Sequence, residues 1–118
     1  MWRDDAYLLD MLLAARKALQ FTEGVTREKF LEDDLMQNAV MRLIQIIGEA
    51  ARNISSEFQK DHPDIPWHDM IGMRHRLVHE YFRIDADRVW GVVQQDLPAL
   101  IPLIDPLVPP DESKPADA

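Results

Sequence analysis

Apolar residues recur along this chain at intervals of three and four, and no stretch keeps the two-residue alternation of a half-buried strand. Leu8, Leu12, Ala15 and Leu19 repeat in this way and predict a first helix, which Gly24 can close with a left-handed cap. Thr26 is placed to cap a short helix containing Phe30 and Leu31. The longest pattern starts at Asp33 or Asp34 and runs to about Phe58. Its apolar face carries Val40, Leu43, Ile44, Ile47, Ala50, Ala51, Ile54 and Phe58, with Arg42, Gln45, Glu49 and Arg52 opposite. Ala39 and Ile46 widen the apolar arc to roughly 160°. An arc that broad can serve a core and part of an interface together.

Residues 61–66 read as a loop, because Pro63 and Pro66 force extended backbone before them. Pro66 suits the first turn of a further helix carrying Trp67, Met70 and Ile71, and Gly72 can kink that helix before it continues to Phe82. Asp85 is placed to cap a last helix with Val89, Val93, Leu97, Leu100, Ile101 and Ile104 on its apolar face. Pro98 should bend this helix and not end it, since the periodicity continues beyond it. From Pro109 the chain reads Pro-Pro-Asp-Glu-Ser-Lys-Pro-Ala-Asp-Ala, a composition expected to stay disordered. The expected fold is all-α: an antiparallel four-helix bundle over residues 1–108, with one or two short extra helices.

At 118 residues the chain suffices for one domain, yet is small enough to gain from dimerisation. It carries a net charge of −8, which argues against broad, non-specific nucleic-acid binding. A local cationic groove or a basic partner protein stays compatible with that charge. No segment approaches the ~20 apolar residues of a membrane span, the acidic start does not resemble a signal peptide, and cysteine is absent. A cytoplasmic protein with no membrane association is expected. Four glycines form no phosphate-cradling loop, and no Gly-x-Ser-x-Gly motif occurs.

Against this acidic background, residues 73–82 set Arg74 and Arg76 against a single acid, Glu80, and add His75, His79 and Tyr81. Metal-independent RNA cleavage needs a base for the 2′-hydroxyl, a cation for the phosphorane charge and an acid for the leaving oxygen. Imidazole titrates near neutrality, so His79 can act as base or acid. Arg74 stays charged and can hold phosphate with two parallel hydrogen bonds. On a continuous helix Arg74 and His79 would project about 140° apart, and Arg74 and Tyr81 only about 20° apart. Either Arg74 reaches round the helix, or two copies of the motif meet across a two-fold axis. The plainer readings are a solvated face with an Arg76–Glu80 pair, a hydrogen-bonded, partly buried His79 and a Tyr81 packed with its hydroxyl at the rim. His75 and His79 could also supply half of a metal site, but no third ligand stands at a recognisable spacing, so no metal and no cofactor is expected.

The strip Arg74-His75-Arg76-Leu77-Val78-His79-Glu80-Tyr81 resembles the signature of the HEPN superfamily, and specifically of its HepT-like proteins. Further blocks match in family order: Asp10-Met11-Leu12-Leu13-Ala14-Ala15-Arg16, Gln37-Asn38-Ala39-Val40-Met41-Arg42, Ile46-Ile47-Gly48-Glu49-Ala50-Ala51, Ile65-Pro66-Trp67 and Val89-Trp90. Together they span roughly residues 3–104. The resemblance implies a helical toxin of a toxin–antitoxin pair, a homodimer whose interface cleft cuts RNA, with tRNA among the candidates, and leaves a 2′,3′-cyclic phosphate. It implies Arg74 and His79 as the catalytic pair; beside them His75, Arg76 and Arg83 are candidates for substrate contact by their charge and position. It also implies a partner, a nucleotidyltransferase antitoxin that adds AMP to the motif tyrosine, here Tyr81. Such an addition would place bulk and negative charge beside Arg74 and inhibit cleavage. The chain departs from the family at His75, where Asn is usual. That imidazole either replaces the amide as a hydrogen-bond donor or marks a degenerate site, whose remaining role would be to bind the nucleotidyltransferase.

Overall fold

Among residues 2–78 and 83–110, which the computed structural model describes, every named element is helical. They are α1 (Trp2–Phe21), α2 (Arg27–Glu32), α3 (Asp34–Asn53), α4 (Ser56–Asp61), α5 (Trp67–Leu77), α6 (Ala86–Gly91) and α7 (Leu97–Ile104). A π-helical turn, Val92–Asp96, joins α6 to α7, and a 3₁₀ turn, Asp105–Leu107, follows. The protein is all-α, as the periodicity predicts. The proposed tail falls largely on residues 111–118, outside the described residues.

The long helices α1 and α3 lie against each other, α5 packs on the far side of α3, and α7 returns to α1. Leu8 and Met11 of α1, Val40, Ile44 and Ile47 of α3, Met70 of α5 and Val89, Val93, Leu97 and Ile104 of the last stretch are buried together. Met11 apart, these are positions that the apolar pattern singles out. Short α2 closes one end by stacking Phe30 on Trp90 at 5.2 Å between ring centroids and by pairing Arg27 with Asp87 at 2.7 Å. Among the described residues no helix is long and apolar enough to cross a membrane.

The caps predicted at Thr26 and Asp85 form, and of the two candidate starts of α3 it is Asp33 that caps the helix. Thr26 Oγ1 accepts from the Lys29 N–H, Asp33 Oδ1 from Met36 and Asp85 Oδ1 from Arg88, at 3.2, 2.9 and 3.2 Å. Each such cap contributes about 1 kcal/mol by satisfying a donor that the first turn leaves open. Gly24 has φ +73°, the left-handed conformation expected of it.

One expectation about an element end is corrected. The α3 helix stops at Asn53, not near Phe58, and Ile54 is extended. The cause is distant in sequence: the buried Asp4 carboxylate accepts the Ser55 N–H and the Ser55 hydroxyl, each at 2.8 Å. Ser55 Oγ in turn accepts from the Phe58 N–H and starts α4, so Phe58 belongs to a new helix. Helix α5 runs unbroken through Gly72. The last helical run continues past Pro98, as its periodicity predicts, and ahead of the proline the chain widens into the π turn, where the Leu97 N–H reaches the Val92 carbonyl. A proline ring collides with the carbonyl four residues back in a regular helix, and the wider turn gives it room.

Candidate phosphate-binding groove between α3 and α5

Helix α5 buries Met70, Met73 and Leu77 on one side and leaves Arg74, His75 and Arg76 exposed on the other. Its path is set by Gly48 of α3. A Cβ built there would stand 3.0 Å from the Met70 carbonyl oxygen, so the two backbones touch where any other residue would hold them apart. Beside this contact lies a groove of about 180 Å³. Arg74 forms one wall and Gln45, Glu49 and Arg52 of α3 the other, over a floor that includes Ile44, Met70 and Ile71.

The three α3 residues read from the sequence as an ordinary solvated face. Their one distinguishing signal is position, in a row flanking the single glycine of that helix.

The arginines divide into two kinds. Arg16, Arg27, Arg76 and Arg88 are engaged with Asp105, Asp87, Asp69 and Asp85 at 2.9, 2.7, 3.6 and 3.3 Å. Among the described residues, neither the Arg52 nor the Arg74 guanidinium has a hydrogen-bond or ion-pair partner. Two arginines therefore line one groove, each without a partner among the described residues, in a chain whose acidic residues outnumber its basic ones 21 to 13. Planar guanidinium groups so placed are suited to a phosphodiester.

The other predicted site residues are spread out. Arg76 points away from Arg74: it bonds the Asp69 carbonyl at 3.1 Å and lines a separate, largely apolar cavity between α5 and α7. His75 and Arg83 are exposed, and neither lines the groove. His79, Glu80 and Tyr81 lie outside the described residues.

The residues flanking this segment do correct the helical-wheel expectation. Helix α5 ends at Leu77, and Val78 is extended with φ −121° and ψ 128°. Val78 forms an antiparallel bridge with Ile84, and the Asp85 N–H donates to the Leu77 carbonyl at 2.7 Å. No continuous helix joins Arg74 to His79 or Tyr81, so the 140° and 20° relations do not describe this protein.

A ribonuclease family model, described as Ribonuclease HepT-like, matches residues 11–107, which include the groove and the whole motif. The chain belongs to the HepT-like ribonuclease family. A Thermococcus cleftensis protein named "Probable ribonuclease HepT" is 43% identical over 94 residues, covering 80% of this chain and 86% of that one. A protein of Methanocaldococcus jannaschii, named as a candidate RNase, is 37% identical over 95 residues, covering 80% and 87%. Another so named, from Caldanaerobacter subterraneus, is 33% identical over 94 residues, covering 80% and 84%. No solved structure gives a significant match. The HepT-like assignment agrees with the resemblance carried by the motif, and it gives Arg74 a chemical context.

Proposed function

We propose that this HepT-like chain is a metal-independent endoribonuclease in which Arg74 holds the scissile phosphate and His79 moves the proton. The observation that carries the reading is Arg74, which lines an open groove without a hydrogen-bond or ion-pair partner among the described residues, five residues ahead of a histidine. A base takes the proton of the ribose 2′-hydroxyl, and the 2′-oxygen attacks phosphorus. The bond to the 5′-oxygen breaks, and that oxygen leaves with a proton. The products are a 2′,3′-cyclic phosphate and a free 5′-hydroxyl, with no net change in protons or electrons. His79 fits the acid–base role by its chemistry, and Arg74 neutralises charge that grows on the phosphorane oxygens.

The same reading takes α1, α3, α5 and the α6–α7 stretch as the main helices of an antiparallel four-helix bundle that works as a homodimer. Exposed Leu9 and Leu13, four apart on α1, offer apolar surface that a second copy can cover. In this reading the chain is the toxin of a pair, and a nucleotidyltransferase antitoxin silences it by adding AMP to Tyr81. The support is family membership and the tyrosine at the matching motif position. His75 favours the second reading, a degenerate dimer that only binds the nucleotidyltransferase.

Incubation of the purified chain with labelled RNA in EDTA separates the two. Cleavage ending in a cyclic phosphate, lowered by about 10²–10⁴-fold in Arg74→Ala and in His79→Ala, is expected of the nuclease. Cleavage abolished by EDTA, or unchanged in His79→Ala, would remove the mechanism. No cleavage of any RNA, with binding of the nucleotidyltransferase retained, is the outcome for the degenerate dimer.

A further inference from the structure

We infer that Arg52 is a second RNA contact, which joins Arg74 in holding the phosphodiester backbone in the α3–α5 groove. The inference deepens the ribonuclease reading and rests on it for the nature of the ligand. Its test is binding, which does not require cleavage.

Three observations converge on Arg52. It lines the same groove as Arg74 but from the opposite helix, so a ligand in the groove lies between the two residues. It has no internal partner among the described residues, whereas four other arginines are matched to aspartates. An arginine left without a carboxylate in so acidic a chain keeps its full attraction for an external anion. The backbone contact at Gly48 then holds the two walls together, so little ordering is left to be done when a ligand enters.

The order of residues along the α3 wall indicates how a strand would lie. Gln45, Glu49 and Arg52 follow one another over about 10 Å of helix, with Glu49 between the other two. A carboxylate repels phosphate, so Glu49 restricts the phosphate to the Arg52 end. At the Gln45 end an amide can both donate to and accept from a ribose hydroxyl or a base edge. The groove therefore takes a chain polarised along α3, with phosphate at one end and sugar or base at the other. Arg42 and Arg83 also show no partner among the described residues, but they do not line this groove.

A short single-stranded RNA with 2′-O-methyl riboses cannot form the cyclic phosphate, so its binding can be followed by fluorescence anisotropy without cleavage. Arg52→Ala should weaken binding roughly tenfold or more at low salt, the expected effect of losing charge-assisted hydrogen bonds. It should also lower the slope of log K against log salt by about 0.7, the counterion contribution of one single-strand phosphate. Arg52→Lys should restore the slope and part of the affinity. Lys17→Ala removes the same charge from exposed α1 and controls for net charge. Equal effects of Arg52→Ala and Lys17→Ala would overturn the inference. So would competition by AMP as strong as that of RNA, because the groove would then hold a mononucleotide and not a strand. RNA binding that depends on Arg52 in a chain that cuts no RNA would leave the inference standing and remove the ribonuclease reading. Cleavage that depends on Arg74, with an unchanged salt slope in Arg52→Ala, would remove the inference alone.

Discussion

Gly48 lies so near the Met70 carbonyl that a Cβ built on it would stand 3.0 Å from that oxygen, closer than nine in ten real Cβ contacts. One glycine thus sets how near α5 lies to α3, and with it the width of the groove that Arg52 and Arg74 line. The neighbour is helical backbone, which cannot turn aside as a side chain can. Gly48→Val is expected to destabilise the fold by about 1–3 kcal/mol, through overpacking that exceeds any gain in helix propensity. Gly72 is the opposite case, since a Cβ there meets nothing within 4 Å and α5 runs through it. Gly72→Ala should stabilise by up to about 1 kcal/mol. Thermal melts of the two variants should move in opposite directions by a few degrees. Shifts of the same sign would mean that the helix contact is not rigid.

The Asp4–Ser55 contact predicts a coupled pair. Asp4→Ala leaves the Ser55 N–H and hydroxyl without their acceptor, and should cost about 1–3 kcal/mol in urea unfolding. Ser55→Ala should cost a similar amount, because it also removes the α4 cap. The double variant should lose clearly less than the sum. Additive losses would show that the two residues act independently.

Light scattering at micromolar concentration should report twice the chain mass of 13.7 kDa. A cleft assembled from two copies requires this, and a purely monomeric species would count against it.

With ATP, Mg²⁺ and the cognate nucleotidyltransferase, the chain should gain the mass of one or more AMP units and lose RNA cleavage. Tyr81→Phe should take up no AMP and should keep cutting RNA in the presence of the partner. A mass gain that survives Tyr81→Phe would assign the modification elsewhere.

Much of this protein was determined by sequence alone. The caps at Thr26, Asp33 and Asp85, the left-handed Gly24 and the buried row through Leu8, Ile44, Ile47, Val93 and Leu97 all follow from residue type and spacing. Such features are legible because capping bonds and helical faces join residues within about four positions of one another. The motif strip and its family were legible too, since a string of residue types is itself the signal.

Only the tertiary structure decided where α3 ends, because the acceptor that stops it, Asp4, lies 51 residues away. It also decided that α5 stops at Leu77, where Asp85 supplies a donor and Ile84 a bridge, which no wheel drawn through Tyr81 can contain. The groove is the clearest case. Arg52 and Arg74 are 22 residues apart in the chain, and each alone looks like a solvated surface arginine. What makes them one site is the approach of two helices at Gly48, a contact between distant backbones to which local periodicity is blind.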